Sequence, residues 1–276
     1  SIGIASLSLS SGSSTYVKSG FDKRASVLAA GSLDFGSGSN ASSLIVGSAG
    51  ALYVGKSYDA TGFSDVANGL VGNTAGLAKS LAVIDTAVDL GANGGILLDG
   101  NLATDLDARL EADSGKVTLR NGASMFLSSS GATSAQSYIA ANGGSASFAI
   151  DDTSTLYIRD SGAVGDITGS GRVFINSEVG NVSQNQAVVT GNINASEVVL
   201  TGKVKTGDIT TPELNINPNT TLTSQNIKTT DIIVGNDQAN VSINASSITT
   251  TGQFSVEGDN IAITAERLVA PDLTIS

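Results

Sequence analysis

Cysteine, histidine and tryptophan are all missing from this chain, and each absence removes a kind of chemistry. Without cysteine there is no disulfide framework, and without cysteine or histidine the usual zinc ligand sets cannot be built. Without histidine no imidazole can activate the many serine hydroxyls. Five tyrosines and seven phenylalanines are too few for a conventional globular core in 276 residues. Proline occurs only three times, and charged residues make up 14%. The charge that exists is lopsided, with 25 Asp and Glu against 14 Lys and Arg, a net charge of −11 that argues against nucleic acid or an anionic membrane surface as partner. No apolar run approaches the ~18 residues of a membrane-spanning helix. A cysteine-free chain suits export in the unfolded state, and suits the cytosol equally. The chain opens on Ser1 rather than Met, which fits removal of a leader or excision from something longer.

What the chain does have is a repeat. Five times after Gly191 an acidic or amide residue precedes apolar-x-apolar: Glu197-Val198-Val199-Leu200, Glu213-Leu214-Asn215-Ile216, Asp231-Ile232-Ile233-Val234, Gln253-Phe254-Ser255-Val256 and Asp272-Leu273-Thr274-Ile275. An earlier apolar residue stands before each: Ile193, Ile209, Ile227, Ile248 and Leu268. The first apolar positions lie 16, 18, 22 and 19 residues apart. A helical repeat keeps a fixed length, whereas stacked short strands absorb extra residues at their corners. Turn-forming residues follow each phrase: Thr201-Gly202, Asn217-Pro218-Asn219, Gly235-Asn236-Asp237 and Glu257-Gly258-Asp259-Asn260. A third apolar element comes next, at Val204, Leu222, Val241/Ile243 and Ile261/Ile263. The expected fold is therefore all-β, a parallel β-solenoid with triangular turns of 16–22 residues.

The chain has two textures. Residues 1–180 are rich in Gly, Ser and Ala and repeat loosely, with strand candidates at Ile2–Leu9, Leu44–Val46, Ala51–Val54, Val117–Leu119, Ser147–Ile150, Leu156–Ile158 and Val173–Ile175. Residues 181–276 repeat tightly and are richer in Thr, Asn and Ile. Within 64–110, Leu77, Leu81, Ile84 and Val88 follow Thr74 at helical spacing, as do Leu102, Leu106 and Leu110. That spacing predicts a short helical insertion beside the strands, although Gly69, Gly72, Gly76 and Gly91 count against it.

The stretch from Gly191 to Ile216 resembles the repeat of bactofilins, bacterial polymer-forming scaffolds. Their phrase G-[DN]-I-x-[AT]-x-x-[VL]-x-[IVL] is matched at Gly191 to Leu200 and again at Gly207 to Ile216. The resemblance implies a right-handed β-helix and an intracellular scaffold. Phrases in the first half, Leu44-Ile-Val-Gly-Ser-Ala-Gly-Ala-Leu-Tyr-Val-Gly55 and Gly165-Asp-Ile-Thr-Gly-Ser-Gly-Arg-Val-Phe-Ile-Asn176, look more like passenger domains of autotransporters and haemagglutinin-type adhesins. These imply an extracellular or cell-surface location. Both resemblances imply a β-solenoid that scaffolds, adheres or assembles.

The most chemical-looking feature is an acidic column. If the repeats stack, Glu197, Glu213 and Asp231 leave one corner on successive turns. Unit charges ~5 Å apart repel by about 0.8 kcal/mol in water and about 3 kcal/mol at an effective dielectric of 20. Exposure, the nearby Lys203, Lys205 and Lys228, or a hard cation such as Ca²⁺ would relieve this, and solvated corner charge is the blander reading. No EF-hand loop is present. The acidic pairs Asp151-Asp152 and Asp105/Asp107 do not suggest a polysaccharide-cleaving site: the adjacent Asp151 and Asp152 point to opposite faces of a strand, and no histidine or tryptophan accompanies either pair. Gly169-Ser-Gly171 reads as a corner rather than a phosphate loop, and the rows Thr210-Thr211, Thr229-Thr230 and Thr249-Thr250-Thr251 lack the strict Thr-x-Thr of an ice-binding face. No catalytic residue and no cofactor is assigned.

The sequence thus leads to a non-enzymatic bacterial cell-surface structural protein, a subunit or fragment of a filament, sheath, surface layer or adhesin. The alternatives are a cytoplasmic bactofilin-like scaffold and, last, a carbohydrate-active β-helix. The expected partner is a second copy, docked end to end through Ile2, Ile4, Leu7 and Leu9 at one end and Leu273 and Ile275 at the other, with cell-surface glycans or a host surface as further partners.

Overall fold

A computed structural model describes residues 2–4, 6–9, 14–17, 26–30, 32–35, 42–47, 50–55, 80–101, 115–128, 136–177, 186–235 and 240–276. Among them the fold is all-β, and nearly every strand pairing is parallel. Strands of one lap lie in different ladders and, one tight hairpin aside, do not pair with each other. Each pairs with a strand one lap further along, so the chain returns to the same ladder once per lap. The stretch Gly162–Val164, Ile167–Gly169 and Arg172–Asn176 is one such lap, and its three strands lie in three different ladders.

One ladder runs the length of the described chain. Ile2, Leu28, Leu52, Ala82, Met125, Leu156, Val173, Val198, Leu214, Ile232, Phe254 and Leu273 follow one another in Cα register. From Leu52 to Phe254 every one of them is buried. A second ladder carries Leu44, Ile96, Val117, Phe148, Ile167, Ile193, Ile209, Ile227, Ile248 and Leu268. The third runs from Gly162 through Val188, Val204, Leu222 and Ile243 to Ile263. The three apolar elements legible in each repeat are these three ladders, and their residues close on one continuous hydrophobic core. One lap cannot bury its own inward side chains. At about 1.5–3 kcal/mol per buried aliphatic residue, the stability resides in contacts between laps.

The corners explain the variable repeat length. Gly202, Asn219, Gly235 and Gly258 all take left-handed φ values, at the corners read as turns in the sequence. A two-residue corner at Asn142-Gly143 (φ 51° and 76°) makes the one antiparallel pairing among the described residues, Ile139–Ala141 with Gly144–Ser145. Asn-Gly is the sequence such a tight turn selects.

Among the described residues of 64–110 there is no helical insertion. Ser80–Asp85, Val88–Asp89 and Gly94–Asp99 are strands: Leu81 and Ile84 belong to the first ladder's strands, and Val88 pairs with Ile139 in a second, five-stranded sheet. The reason is burial on both faces: Ser80 through Ile84 are all buried, as are Gly94–Asp99. A strand covered on both sides reads as an unbroken apolar run, from which a helical spacing can be picked by coincidence. Leu77, Leu102, Leu106 and Leu110 lie outside the described residues. The later laps differ in kind. Thr220–Gly235 alternates buried and exposed positions along most of its length, because its outer face meets solvent.

Candidate functional site

The acidic column exists in the predicted register. Glu197 lies beside Glu213, and Glu213 beside Asp231. Its neutraliser is not one of the expected lysines but Arg172, one lap earlier and directly opposite Glu197. Arg172 Nε donates to Glu197 Oε2 at 2.5 Å, and this bond, with further help from the charge of Glu197, raises the guanidinium above its usual range. Glu213 Oε1 accepts from Asn215 Nδ2 at 2.8 Å, and Asp231 Oδ1 accepts the backbone N–H of Gln253 at 2.7 Å. Each carboxylate therefore has its own donor. Among the described residues no group of three or more acidic side chains is placed to hold a metal ion.

A second column caps the neighbouring corner. Asp166 Oδ1 accepts from the Asn192 N–H at 2.7 Å, Asn192 Oδ1 from the Asp208 N–H at 2.8 Å, and Asp208 Oδ1 from both the N–H and the Nδ2 of Asn226. Ser247 Oγ then donates to Asn226 Oδ1. The G-[DN]-I phrase now has a physical meaning. The Asp or Asn caps the corner of the following lap, and the Ile after it enters the second ladder. Glycine precedes it because a Cβ on Gly207 would sit 2.4 Å from Asn192 Oδ1, the capping atom itself.

Three more acidic residues, Asp99, Asp160 and Asp151, are bound into the fold. Asp99 is buried against Arg120, whose Nε lies 2.7 Å from its Oδ2, and it accepts Asn121 Nδ2 at 2.8 Å. Asp160 is buried and accepts Ser128 Oγ at 2.8 Å. Burial raises the Tyr138 phenol far above its usual range, and the charge of Asp160 adds to this; its hydroxyl donates to the Arg159 carbonyl. Partial burial pushes the Asp151 carboxyl up, but hydrogen bonds from Asn121, Ser154 and Thr153 outweigh that and hold it below its ordinary value. Asp105 lies outside the described residues, as does Asp107. Of the threonine rows, Thr211 and Thr229 point inward and donate to the Glu213 and Asp231 carbonyls, whereas the Thr250 hydroxyl is buried without a hydrogen-bond partner.

One feature escaped the sequence reading. The position between the two inward residues of the first ladder carries Tyr53, Val83, Phe126, Tyr157, Phe174 and Val199 on successive laps. Phe126 stacks on Tyr157 with ring centroids 4.3 Å apart, and Tyr157 on Phe174 at 5.1 Å. The Arg172 guanidinium lies 4.9 Å from the Phe174 centroid. Beside this stack runs a groove of about 260 Å³, lined by Tyr157, Arg159, Phe174, Asn176, Val199, Thr201 and Asn217 among others. The signal was present as apolar-aromatic-apolar triplets: Leu52-Tyr53-Val54, Met125-Phe126-Leu127, Leu156-Tyr157-Ile158 and Val173-Phe174-Ile175.

The expected assembly residues sit at the two ends of the ladders. Ile2–Ile4 pairs with Ser26–Ala30, and Leu7 with Leu33, while Leu9 is buried. At the other end Leu273 is 45% and Ile275 73% exposed, although both occupy core register. No family model, curated protein or solved structure matches the chain.

Proposed function

We propose that this chain is a parallel β-solenoid with a structural, non-enzymatic role: a subunit or segment of a bacterial cell-surface filament, sheath, surface layer or adhesin. The observation that carries the reading is the first ladder, which holds one register from Ile2 to Leu273. An uninterrupted ladder makes a rod, and Asp166, Asp208 and Asp231 accept backbone N–H groups at that rod's corners. Leu268, Leu273 and Ile275 are exposed at core positions, and the outer edge of Asp272–Ile275 has no neighbouring strand among the described residues. A parallel strand added there from a second copy would continue the ladder, giving a head-to-tail contact that does not close.

The test is electron microscopy of the native protein with and without the paired substitution of Leu273 and Ile275 by Lys. Filaments lost on substitution are expected. Filaments that persist unchanged would rule out this edge as the joint. A second reading, a cytoplasmic bactofilin-like scaffold, is favoured by the two matching phrases, whose Ile193 and Ile209, and Val198 and Leu214, stand in register. Protease treatment of intact cells separates the two: digestion of the protein supports the surface reading, and protection supports the scaffold.

A further inference from the structure

Asn-Gly pairs occur at Asn68, Asn93, Asn121 and Asn142. In such a pair the side-chain amide is open to attack by the next backbone nitrogen, because glycine has no Cβ to hinder the approach. Asn68 lies outside the described residues. The other three differ in what holds their reacting groups.

Gly94 is buried, and its N–H donates to the Leu90 carbonyl at 2.9 Å. At Asn121 both reacting groups are tied. Its Nδ2 donates to Asp99 Oδ1 at 2.8 Å, and the Gly122 N–H donates to Thr153 Oγ1 at 2.9 Å. Asn142 and Gly143 stand exposed at the tip of the hairpin that joins Ile139–Ala141 to Gly144–Ser145. Among the described residues neither the Asn142 carboxamide nor the Gly143 N–H has a hydrogen-bond partner. A Cβ built on Gly143 would meet nothing within 4 Å, so the space beside that nitrogen is open. Backbone shape does not separate the two turns: φ is 58° and 81° at Asn121-Gly122, and 51° and 76° at Asn142-Gly143. The hydrogen bonds do.

We infer that Asn142 is the site of a spontaneous covalent modification, deamidation through a succinimide, and that the fold protects Asn93 and Asn121 from it. The Gly143 nitrogen loses its proton to solvent base and attacks Asn142 Cγ. A bond forms between that nitrogen and Cγ, the Cγ–Nδ2 bond breaks, and the amide nitrogen leaves as ammonia with a proton from solvent. One water then opens the ring at either carbonyl, giving aspartate or isoaspartate. The product adds a negative charge to the hairpin tip and, in the isoaspartyl form, an extra backbone carbon. Either turn must open before its ring can close, and Asn142 reaches that state without first losing a side-chain hydrogen bond.

The test is peptide mapping by mass spectrometry after the intact chain is held folded in warm, mildly alkaline buffer, beside a sample unfolded in urea. In the folded chain Asn142 should show the mass rise of an amide turned into an acid, divided between aspartyl and isoaspartyl forms. It should convert roughly tenfold or more faster than Asn121, because two hydrogen bonds must open there first. Asn93 should lag likewise. In urea the three should convert at similar rates, since the protection belongs to the fold. Thr153→Val, at an exposed position, removes the acceptor of the Gly122 N–H and should speed Asn121 while leaving Asn142 unchanged. An Asn142 that converts no faster than Asn121 in the folded chain would overturn the inference. So would the same ordering in urea, which would place the cause in the local sequence.

Discussion

Asp166 Oδ1 accepts the backbone N–H of Asn192 at 2.7 Å, across 26 residues of sequence and a single lap of the fold. The same relationship joins Asn192 to Asp208 and Asp208 to Asn226. A corner bends the backbone away from its ladder and would leave an N–H without a partner. A side chain from the previous lap supplies that partner, so each corner is finished by its neighbour.

This makes glycine and cap a single unit. Gly207→Ala should cost about 1–2 kcal/mol, because its Cβ displaces Asn192 Oδ1 and so breaks the bond to Asp208. Asn192→Ala should cost a similar amount. The double substitution should cost little more than either alone, a coupling that denaturant titration of the four proteins would measure. Additive costs would show that the glycine serves some other purpose.

The aromatic stack should contribute to stability. Phe126 is 2% exposed, and Phe126→Ala should destabilise by about 3–5 kcal/mol. A double-mutant cycle on Tyr157 and Phe174 should return a coupling of about 0.5–1.5 kcal/mol for the ring contact itself.

The acidic column should behave as solvated charge with one counter-charge, Arg172. Millimolar Ca²⁺ should leave the melting temperature unchanged, because each of the three carboxylates already has a protein donor. Arg172→Gln should cost less than about 1 kcal/mol, since the Arg172 side chain is half exposed, and the loss should shrink as salt is raised. A calcium-induced rise in melting temperature would reinstate a cation at this corner.

Asp151 provides a pH test whose sign follows from its bonds. Its folded-state pKa lies below the ordinary 3.8, so its contribution is fully present above that value and is lost as pH falls through the folded one. Wild type and Asp151→Ala should therefore differ by a constant amount from about pH 5 to 8, and converge only in strong acid. Convergence near neutrality would contradict the bonding pattern.

Much of the fold was legible because side chains alternate along a strand. Where the outer face is wet, as in 209–235, the inward residues stand out as Ile209, Leu214, Leu222, Ile227 and Ile232, and spacing alone gave the ladders. Where the outer face is covered, as at Ser80–Asp85, alternation vanishes and helix and strand become indistinguishable by period. The acidic column was legible as a column because it precedes the repeat phrase by a fixed offset. Its partner holds the same offset, Arg172 before Val173-Phe174-Ile175, but it stands in the loosely repeating half, 25 residues away, where the phrase does not stand out.

The sequence by itself determined that this chain is built of short stacked strands, because period-two burial and left-handed corners are local properties of residues and their neighbours. Only the tertiary structure decided which side chains meet across laps: Arg172 with Glu197, Asn192 with Asp208, Phe126 with Tyr157 and Phe174. Those contacts depend on the number of residues in each intervening corner. Corner length is free to vary because it costs the ladders nothing, and for that reason no repeat period could have foretold them.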